Sequence, residues 1–331
     1  MLSRWYVLSV GLVMSTMLDV IAIGELLIDL IADNPRTRME DQTTFKRFAG
    51  GAPANFIVGV RKLGHEAGLI TKVGDDFFGR FLLEALEKEG VDVSQIIITN
   101  EYKTALAFVG LDESKKPSFS FYRSPCADIM LKESEINTEY IKSSKVLMYG
   151  TVSMADEPAR SAIKKTIHIA KQNNVLVACD PNLRDDLWHH LDPREHLLEV
   201  LEKTDIFIPS LSEAEFITGK KGEKALEAIF EIGPDMIGLT SGEQGSRIIT
   251  KEESFFAPSF KVPVVDTTGA GDAFAAGMIT GLLLKLDMYD IPYFANAVSA
   301  LKIMKQGAMS LPTMKEVIDF LKQRNVKISN I

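Results

Sequence analysis

VLMYGTVSMADEPARSAIKKTIHIAKQNNVLVACD, residues 146–180, places two short apolar runs on either side of an amphipathic stretch. Val146–Tyr149 and Leu176–Asp180 are short, apolar and bounded by turn residues, so they read as strands buried on both faces. Pro158–Asn173 between them reads as a helix. Strand, helix and strand at this spacing form a right-handed crossover between parallel neighbours. Outward from this unit the alternation continues. Strands are expected at Val20–Gly24, Gly68–Val73, Ile206–Pro209 and Met236–Thr240. Helices are expected at Ala54–Leu63, Phe77–Glu89, Pro193–Glu202, Glu223–Ile232, Ala273–Lys285, Ile291–Lys305 and Met314–Arg324. The fold class is α/β: a mostly parallel central sheet with helices on both faces, binding ligands at the carboxyl ends of its strands.

Two regions break the alternation. Leu26–Ala32 follows the first strand almost without a pause, and Thr104–Leu111 and Ser118–Tyr122 suggest a hairpin around Glu113–Pro117. With no helices between them, these strands predict a small separate sheet that could cover a site. No long linker, repeat or low-complexity segment divides the chain. One domain over 17–331 is expected, with a β lid from about 26–48 and 104–125. Ahead of it, Arg4 and the apolar run Trp5–Met14 imitate a secretion signal. The run is too short to span a bilayer, and no small-residue cleavage site follows. Residues 1–16 are therefore expected to be an extension outside the fold.

Composition narrows the function classes. Lys and Arg number 37 against 45 Asp and Glu, a net charge of -8, which disfavours nucleic acid as a partner. No segment reads as a membrane span. The 2 cysteines, Cys126 and Cys179, exclude a disulfide framework and suit a reducing cytoplasm.

The chemistry gathers in two glycine-bearing segments. Asp266-Thr-Thr-Gly-Ala-Gly-Asp272 runs into a helical pattern rich in small residues. Glycines let main-chain N–H groups turn toward a ligand, and a helix N-terminus adds partial positive charge, which together make an anion hole. Asp272 beside it could take a proton from an attacking hydroxyl, so the segment suits phosphoryl transfer to an alcohol. It could equally be a glycine turn with a capping Asp. The second segment is Ala49-Gly-Gly-Ala-Pro-Ala-Asn55. Its Gly50 and Gly51 permit close approach of a ligand, and Asn55 offers donors and an acceptor to a polyol, or a cap to its helix. No GxxxxGK[ST], HRD, DFG or early GxGxxG occurs, which argues against P-loop, protein-kinase and dinucleotide folds.

These two segments, in this order and separation, resemble the two signatures of the ribokinase-like (PfkB) carbohydrate kinase family, from about Leu18 onward. GELLIDL at 24–30, KVGDDFFGR at 72–80, TALAFVGL at 104–111, FYRSPCAD at 121–128 and DPNLRDDLW at 180–188 resemble fructokinases in particular. FANA at 294–297 and the segment around Gly307 before LPT at 311–313 extend the likeness. The resemblance implies a ribokinase-like three-layer fold and an ATP- and Mg2+-dependent kinase, with fructose as the first choice of sugar. It implies that Asp272 is the catalytic base, with the backbone of Gly269, Ala270 and Gly271 as the anion hole. Asp29, Gly50, Gly51, Asn55 and Arg123 would contact the sugar, Arg123 reaching in from the lid. Asn182 and Arg184 would lie near the phosphates; Thr240, Gly242 and Gly245 would follow the nucleotide, and Asn296 would wall the adenine. Asp266 and the Thr268 carbonyl match a monovalent-cation site that would suit K+.

One departure stands out. Many relatives carry Asn-x-x-Glu to organise Mg2+ through water, whereas this chain has Ser210-Leu-Ser-Glu213, keeping Glu213. His189, His190 and His196 lack metal-ligand spacing. Cys126 would lie in the lid near the site. A 2-keto-3-deoxygluconate or riboside kinase of the same family is the alternative, and a catalytically silent sugar or nucleotide sensor the reading from another class. A homodimer through the lid sheets would cover their exposed edges.

Overall fold

The computed structural model describes residues 18–33, 38–111, 117–188 and 191–329. The extension expected over 1–16, most of the hairpin turn, and His189 and His190 lie outside these residues. A nine-stranded sheet forms the body. In chain order its strands are β1 (Leu18–Ile23), β4 (Ala67–Gly74), β5 (Ile96–Thr99), β8 (Ser144–Tyr149), β9 (Leu176–Cys179), β10 (Ile206–Phe207), β11 (Met236–Thr240), β12 (Ser246–Thr250) and β13 (Ser254–Ala257). Spatially they run β13-β12-β11-β10-β9-β8-β1-β4-β5. Every pairing from β5 to β11 is parallel, and β12 and β13 turn back antiparallel at one edge.

The alternation of strand side chains divides the core into two layers. Val20 and Ala22 of β1, with Val146 and Met148 of β8, face one helical layer. That layer includes α1 (Ala52–Lys62), α2 (Phe77–Lys88), α8 (Ala270–Leu283), α9 (Ile291–Ile303) and α10 (Met314–Gln323). Ile21 and Ile23, with Leu147 and Tyr149, face the opposite layer, which includes α3 (Thr138–Lys142), α4 (Ala159–Gln172), α5 (Pro193–Leu201), α6 (Leu211–Thr218) and α7 (Glu223–Ile232). Burial on both faces is why these strands read as continuous apolar runs.

The segments outside the alternation build the second sheet. Its strands β2 (Leu27–Ala32), β3 (Phe45–Gly50), β6 (Leu106–Leu111) and β7 (Pro117–Tyr122) lie in the order β3-β2-β6-β7. β6 and β7 pair antiparallel from Leu106↔Tyr122 to Leu111↔Pro117. The sequence reading lacked β3, β5, β12, β13, α3 and α6. Three of these strands lie at sheet edges with alternating exposure, and the helices are of 5 and 8 residues, too short for a periodicity signal. Among the described residues, no helix is long and apolar enough to cross a membrane.

Candidate active site

A cavity of about 810 Å³ opens at the carboxyl ends of the parallel strands, under the four-stranded sheet. Glu25 enters it after β1, Asp180 and Asn182 after β9, Ser210 after β10 and Thr240 at the end of β11. The lid contributes Leu27 and Asp29 from β2, and Ser118, Phe119 and Phe121 from β7. Thr268, Gly269, Ala270, Gly271 and Asp272 close the floor at the start of α8.

Gly269 is left-handed (φ 80) and caps α8, and a Cβ there would stand 2.9 Å from the Ala308 carbonyl oxygen. Only glycine makes this turn without strain. The start of α8 lines the cavity with no side-chain cap, although the Ala270 amide donates to the Thr267 carbonyl at 3.1 Å. Asp272, in the first turn of α8, is 7% exposed. Its Oδ2 accepts from Asn55 Nδ2 at 2.7 Å. Burial pushes the Asp272 carboxyl up to about 6; the Asn55 bond pulls the other way, Glu25 repels its charge, and Arg184 and Lys302 favour it. Such a group is ionised at neutral pH yet basic enough to accept a proton.

The Asn55 bond leaves Asn55 Oδ1 buried with no partner. An orphan acceptor in a cavity wall is a place for a ligand hydroxyl. Asp29 is close by on β2, and burial pushes it up to about 7, with Asp272, Asp266 and Glu25 adding repulsion. Gly50, paired with Leu27 one strand over, gives it room: a Cβ there would fall 2.2 Å from Asp29 Oδ2. Glu25 Oε1 accepts from the Ala52 amide at 3.1 Å, tying the first strand to the start of α1 beside Gly51.

On the other side of the cavity Asp180, Arg184 and Glu213 converge. Burial and the charges of Glu213 and Asp272 push Asp180 well above the usual carboxylate range. Arg184 lies over the Phe119 ring of the lid at 5.2 Å. Glu213 Oε2 accepts from the Ser210 amide and hydroxyl at 2.8 and 2.6 Å, and its Oε1 accepts from the Leu183 amide at 2.9 Å. Ser210-Leu-Ser-Glu213 is therefore a capping box on α6 that also pins the loop carrying Asn182 and Arg184. Its pattern was open to that reading from the sequence alone. Among the described residues no cluster of His, Cys, Asp and Glu could hold a metal by itself. A Mg2+ arriving with a nucleotide, keeping most of its waters, still fits the carboxylates here.

Several expected site residues do not line this cavity. Arg123 is 4% exposed and turned inward. Its Nε and Nη2 lie 2.8 and 2.7 Å from Asp128 Oδ2, and Nη1 donates to the Val152 carbonyl at 3.0 Å. Its path to the site is indirect, through Ser153, which accepts from Arg123 Nη2 at 3.3 Å and donates to Glu25 Oε2 at 2.8 Å. The expected reach from the lid into the cavity is thus corrected: a buried guanidinium is held where its charge is matched. Asn296 is spent on Ser246 and on the carbonyls of Ala257 and Pro258, which fasten β12 and β13 to α9. Gly242 and Gly245 shape the turn after Thr240 without lining the cavity, as both have positive φ. Cys126 is buried in the lid, and burial pushes its thiol up to about 11.

Asp266 sits below the floor. Its carboxylate accepts from the amides of Thr268 and Gly307 at 2.9 and 2.8 Å, and its carbonyl accepts from Lys302 Nζ at 2.9 Å. Burial lowers the Lys302 pKa, while Asp266, Asp272 and Asp29 favour its charged form. Sequence reading passed over Glu25, Asp128, Asp180, Ser153 and Lys302. Glu25 and Asp180 stand inside segments already singled out, whereas Lys302 gave only the oddity of a lysine on an otherwise apolar helix face.

The chain and its fold are similar to those of known sugar kinases. Fructokinase-1 of Zea mays is 36% identical over 315 residues, covering 92% of this chain and 98% of its own. A fructokinase from Xylella fastidiosa with bound ATP superposes with a TM-score of 0.83 at 28% identity, covering 92% and 99% of the two chains. A fructokinase double mutant from Vibrio cholerae, with fructose, ADP and potassium bound, gives 0.81 at 28% identity over 93% and 100%. The model of the pfkB family carbohydrate kinases matches residues 17–314, both signatures and the whole cavity included, and the chain belongs to that family.

Proposed function

We propose that this chain transfers the γ-phosphoryl group of ATP to the terminal hydroxyl of fructose, making fructose 6-phosphate and ADP. The observation that carries the reading is Asp272: a carboxylate with a pKa of about 6, bonded to Asn55 and set against the uncapped start of α8. Asn55 Oδ1 and the Asp29 carboxylate accept from sugar hydroxyls and aim one of them at Asp272. Asp272 takes the proton of that hydroxyl as its oxygen bonds to the γ-phosphorus. The bond from the γ-phosphorus to the bridging oxygen breaks, and ADP leaves. The amides of Gly269 and Gly271 face the phosphoryl oxygens where negative charge gathers, so they stabilise the transition state more than the ground state, while the Ala270 amide holds the turn by donating to the Thr267 carbonyl. Mg2+ bound with the nucleotide supplies further positive charge at the β- and γ-phosphates. Asp180 and Glu213 would hold its waters, and Arg184 the phosphates.

A neutral sugar fits better than a sugar acid. Glu25, Asp29 and Asp272 surround the acceptor side, and Arg123 is committed to Asp128. A carboxylated sugar would meet repulsion there, and the cavity guanidinium of Arg184 lies on the phosphate side. The relatives named fructokinase support the same choice. The test is ADP release with MgATP and, in turn, fructose, 2-keto-3-deoxygluconate, ribose and nucleosides, with the product located by NMR. Fructose should give the highest kcat/KM. Preference for the sugar acid would defeat the assignment, and silence with every acceptor would defeat kinase activity itself.

A further inference from the structure

We propose that the ammonium of Lys302 permanently fills the place of the monovalent cation expected at Asp266 and Thr268, so that the enzyme needs no K+. The proposal rests on the kinase reading only for its rate measurements. Lys302 rises from the last turn of α9 and is 0% exposed. Its Nζ lies 2.9 Å from the Asp266 carbonyl, at the head of the segment that makes the anion hole. Among the described residues it forms no ion pair with any carboxylate. The charge is therefore presented to main-chain oxygen, as a bound alkali ion would be, and not neutralised by one partner. The Asp266 carboxylate is already in use. Both Asp266 carboxylate oxygens accept backbone amides, from Thr268 and Gly307.

The surroundings give the charge a purpose. Asp266, Asp272 and Asp29 all favour the charge of Lys302, and with Lys302 absent the cavity guanidinium of Arg184 would be left as the cation favouring the charge of Asp272. The same turn of α9 also grips the loop mechanically. Ser299 Oγ donates to the Ala270 carbonyl at 2.9 Å, and the Ile303 carbonyl accepts from the amides of Val265 and Asp266 at 2.8 and 3.1 Å. A dissociable ion would make the loop's shape depend on cation concentration. A tethered ammonium of the same charge and similar size removes that dependence. A fructokinase of similar structure from Vibrio cholerae has the free ion bound.

The experiment compares wild type with Lys302→Ala and Lys302→Met at constant ionic strength, in tetramethylammonium chloride with K+, NH4+ or Na+ substituted in. Turnover of fructose and MgATP is one readout, and Tm without substrates is the other. Wild type should show no activation and no Tm shift with K+. Lys302→Ala, which leaves room for an ion, should lose turnover by roughly 10²-fold, the scale of losing one contact in an oxyanion hole. K+ and NH4+ should recover part of that loss and raise its Tm, and Na+ should do less. Lys302→Met, which fills the space without charge, should lose turnover and not respond. Activation or stabilisation of wild type by K+ would overturn the proposal, and so would a Lys302→Ala protein that folds yet ignores every cation. Should Lys302→Ala not fold, the wild-type titrations decide alone. If fructose proves not to be the substrate, the Tm arm still reads the cation site.

Discussion

Replacing Asp272 with Asn separates what this residue does for chemistry from what it does to the fold. Asn keeps the shape, and its side-chain oxygen can still accept from Asn55 Nδ2. What goes is the basic lone pair and the buried charge. Loss of a general base slows transfer by roughly 10²–10⁴-fold. That corresponds to about 3–5 kcal/mol of barrier. The stability change has the opposite sign. The Asp272 pKa rises from 3.8 in the unfolded chain to about 6 in the fold. A carboxyl raised in this way favours folding fully below pH 3.8, and that contribution is lost as pH climbs through about 6. At pH 8 the ionised form therefore weighs against the fold by roughly 3 kcal/mol. Asp272→Asn should accordingly melt a few degrees higher than wild type at pH 8, with the gap closing toward pH 4. The assays are coupled ADP release under saturating substrates, calorimetric melting at both pH values, and titration of ATP into the variant, which should bind nearly as in wild type. A folded variant turning over within tenfold of wild type would remove Asp272 from the proton step. A lower Tm at pH 8 would show that the charge is better compensated than its burial implies.

Asp29, with a pKa of about 7, should make sugar binding pH-dependent. The carboxylate is the better acceptor, so the fructose KM should rise as pH falls through about 7, and Asp29→Asn should raise KM and flatten that profile; an unchanged profile would place the dependence elsewhere. Gly50→Ala puts a methyl group 2.2 Å from Asp29 Oδ2 and must displace it. Sugar affinity should drop by about 1–3 kcal/mol with ATP affinity kept, as read by separate titrations; equal loss of both would point to a wider distortion. Arg123→Met strands the Asp128 carboxylate and should destabilise by about 3–5 kcal/mol in chemical denaturation. Adding Asp128→Leu should recover much of this, whereas an unchanged Tm with a collapsed sugar affinity would return Arg123 to the sugar pocket.

The body of the fold was legible because its central strands are buried on both faces and its longer helices carry a strong apolar period. Gly269 and Asp272 were legible because an anion hole followed by a carboxylate needs those residue types in that order. Arg123 was expected in the site only because the FYR segment resembles that of the family, while its partner here, Asp128, lies five residues on. Local sequence cannot say which way such a side chain turns. Asn296, expected near the adenine from the same resemblance, ties strands to α9 through its side chain, a role its sequence context does not announce. Lys302 was illegible for a deeper reason, since the oxygen it meets belongs to the backbone of Asp266, and backbone partners leave no mark in composition.

The carboxylates of the cavity bear on how the site could work when filled. Glu25, Asp29, Asp180, Glu213 and Asp272 share one space. Three of them, Asp29, Asp180 and Asp272, are pushed toward protonation, and each feels the charge of at least one other. These like charges repel one another, and the repulsion is held in place by the two packed cores on either side of the sheet. Each ligand of the proposed reaction lessens part of it. Sugar hydroxyls donate to Asp29 and Asn55, and a metal–nucleotide complex brings cationic charge toward Asp180 and Glu213. Binding both would therefore lower the pKa of Asp29 and Asp180 and stabilise the fold beyond the sum of direct contacts. Asp272 would differ, because in the proposed reaction its proton comes from the substrate. Its basicity has to survive ligand binding, and burial against Asn55, with Lys302 below, sets it from within the protein and not from solvent. A site built this way favours phosphate transfer only when sugar and nucleotide are present together, since either alone leaves part of the repulsion unrelieved.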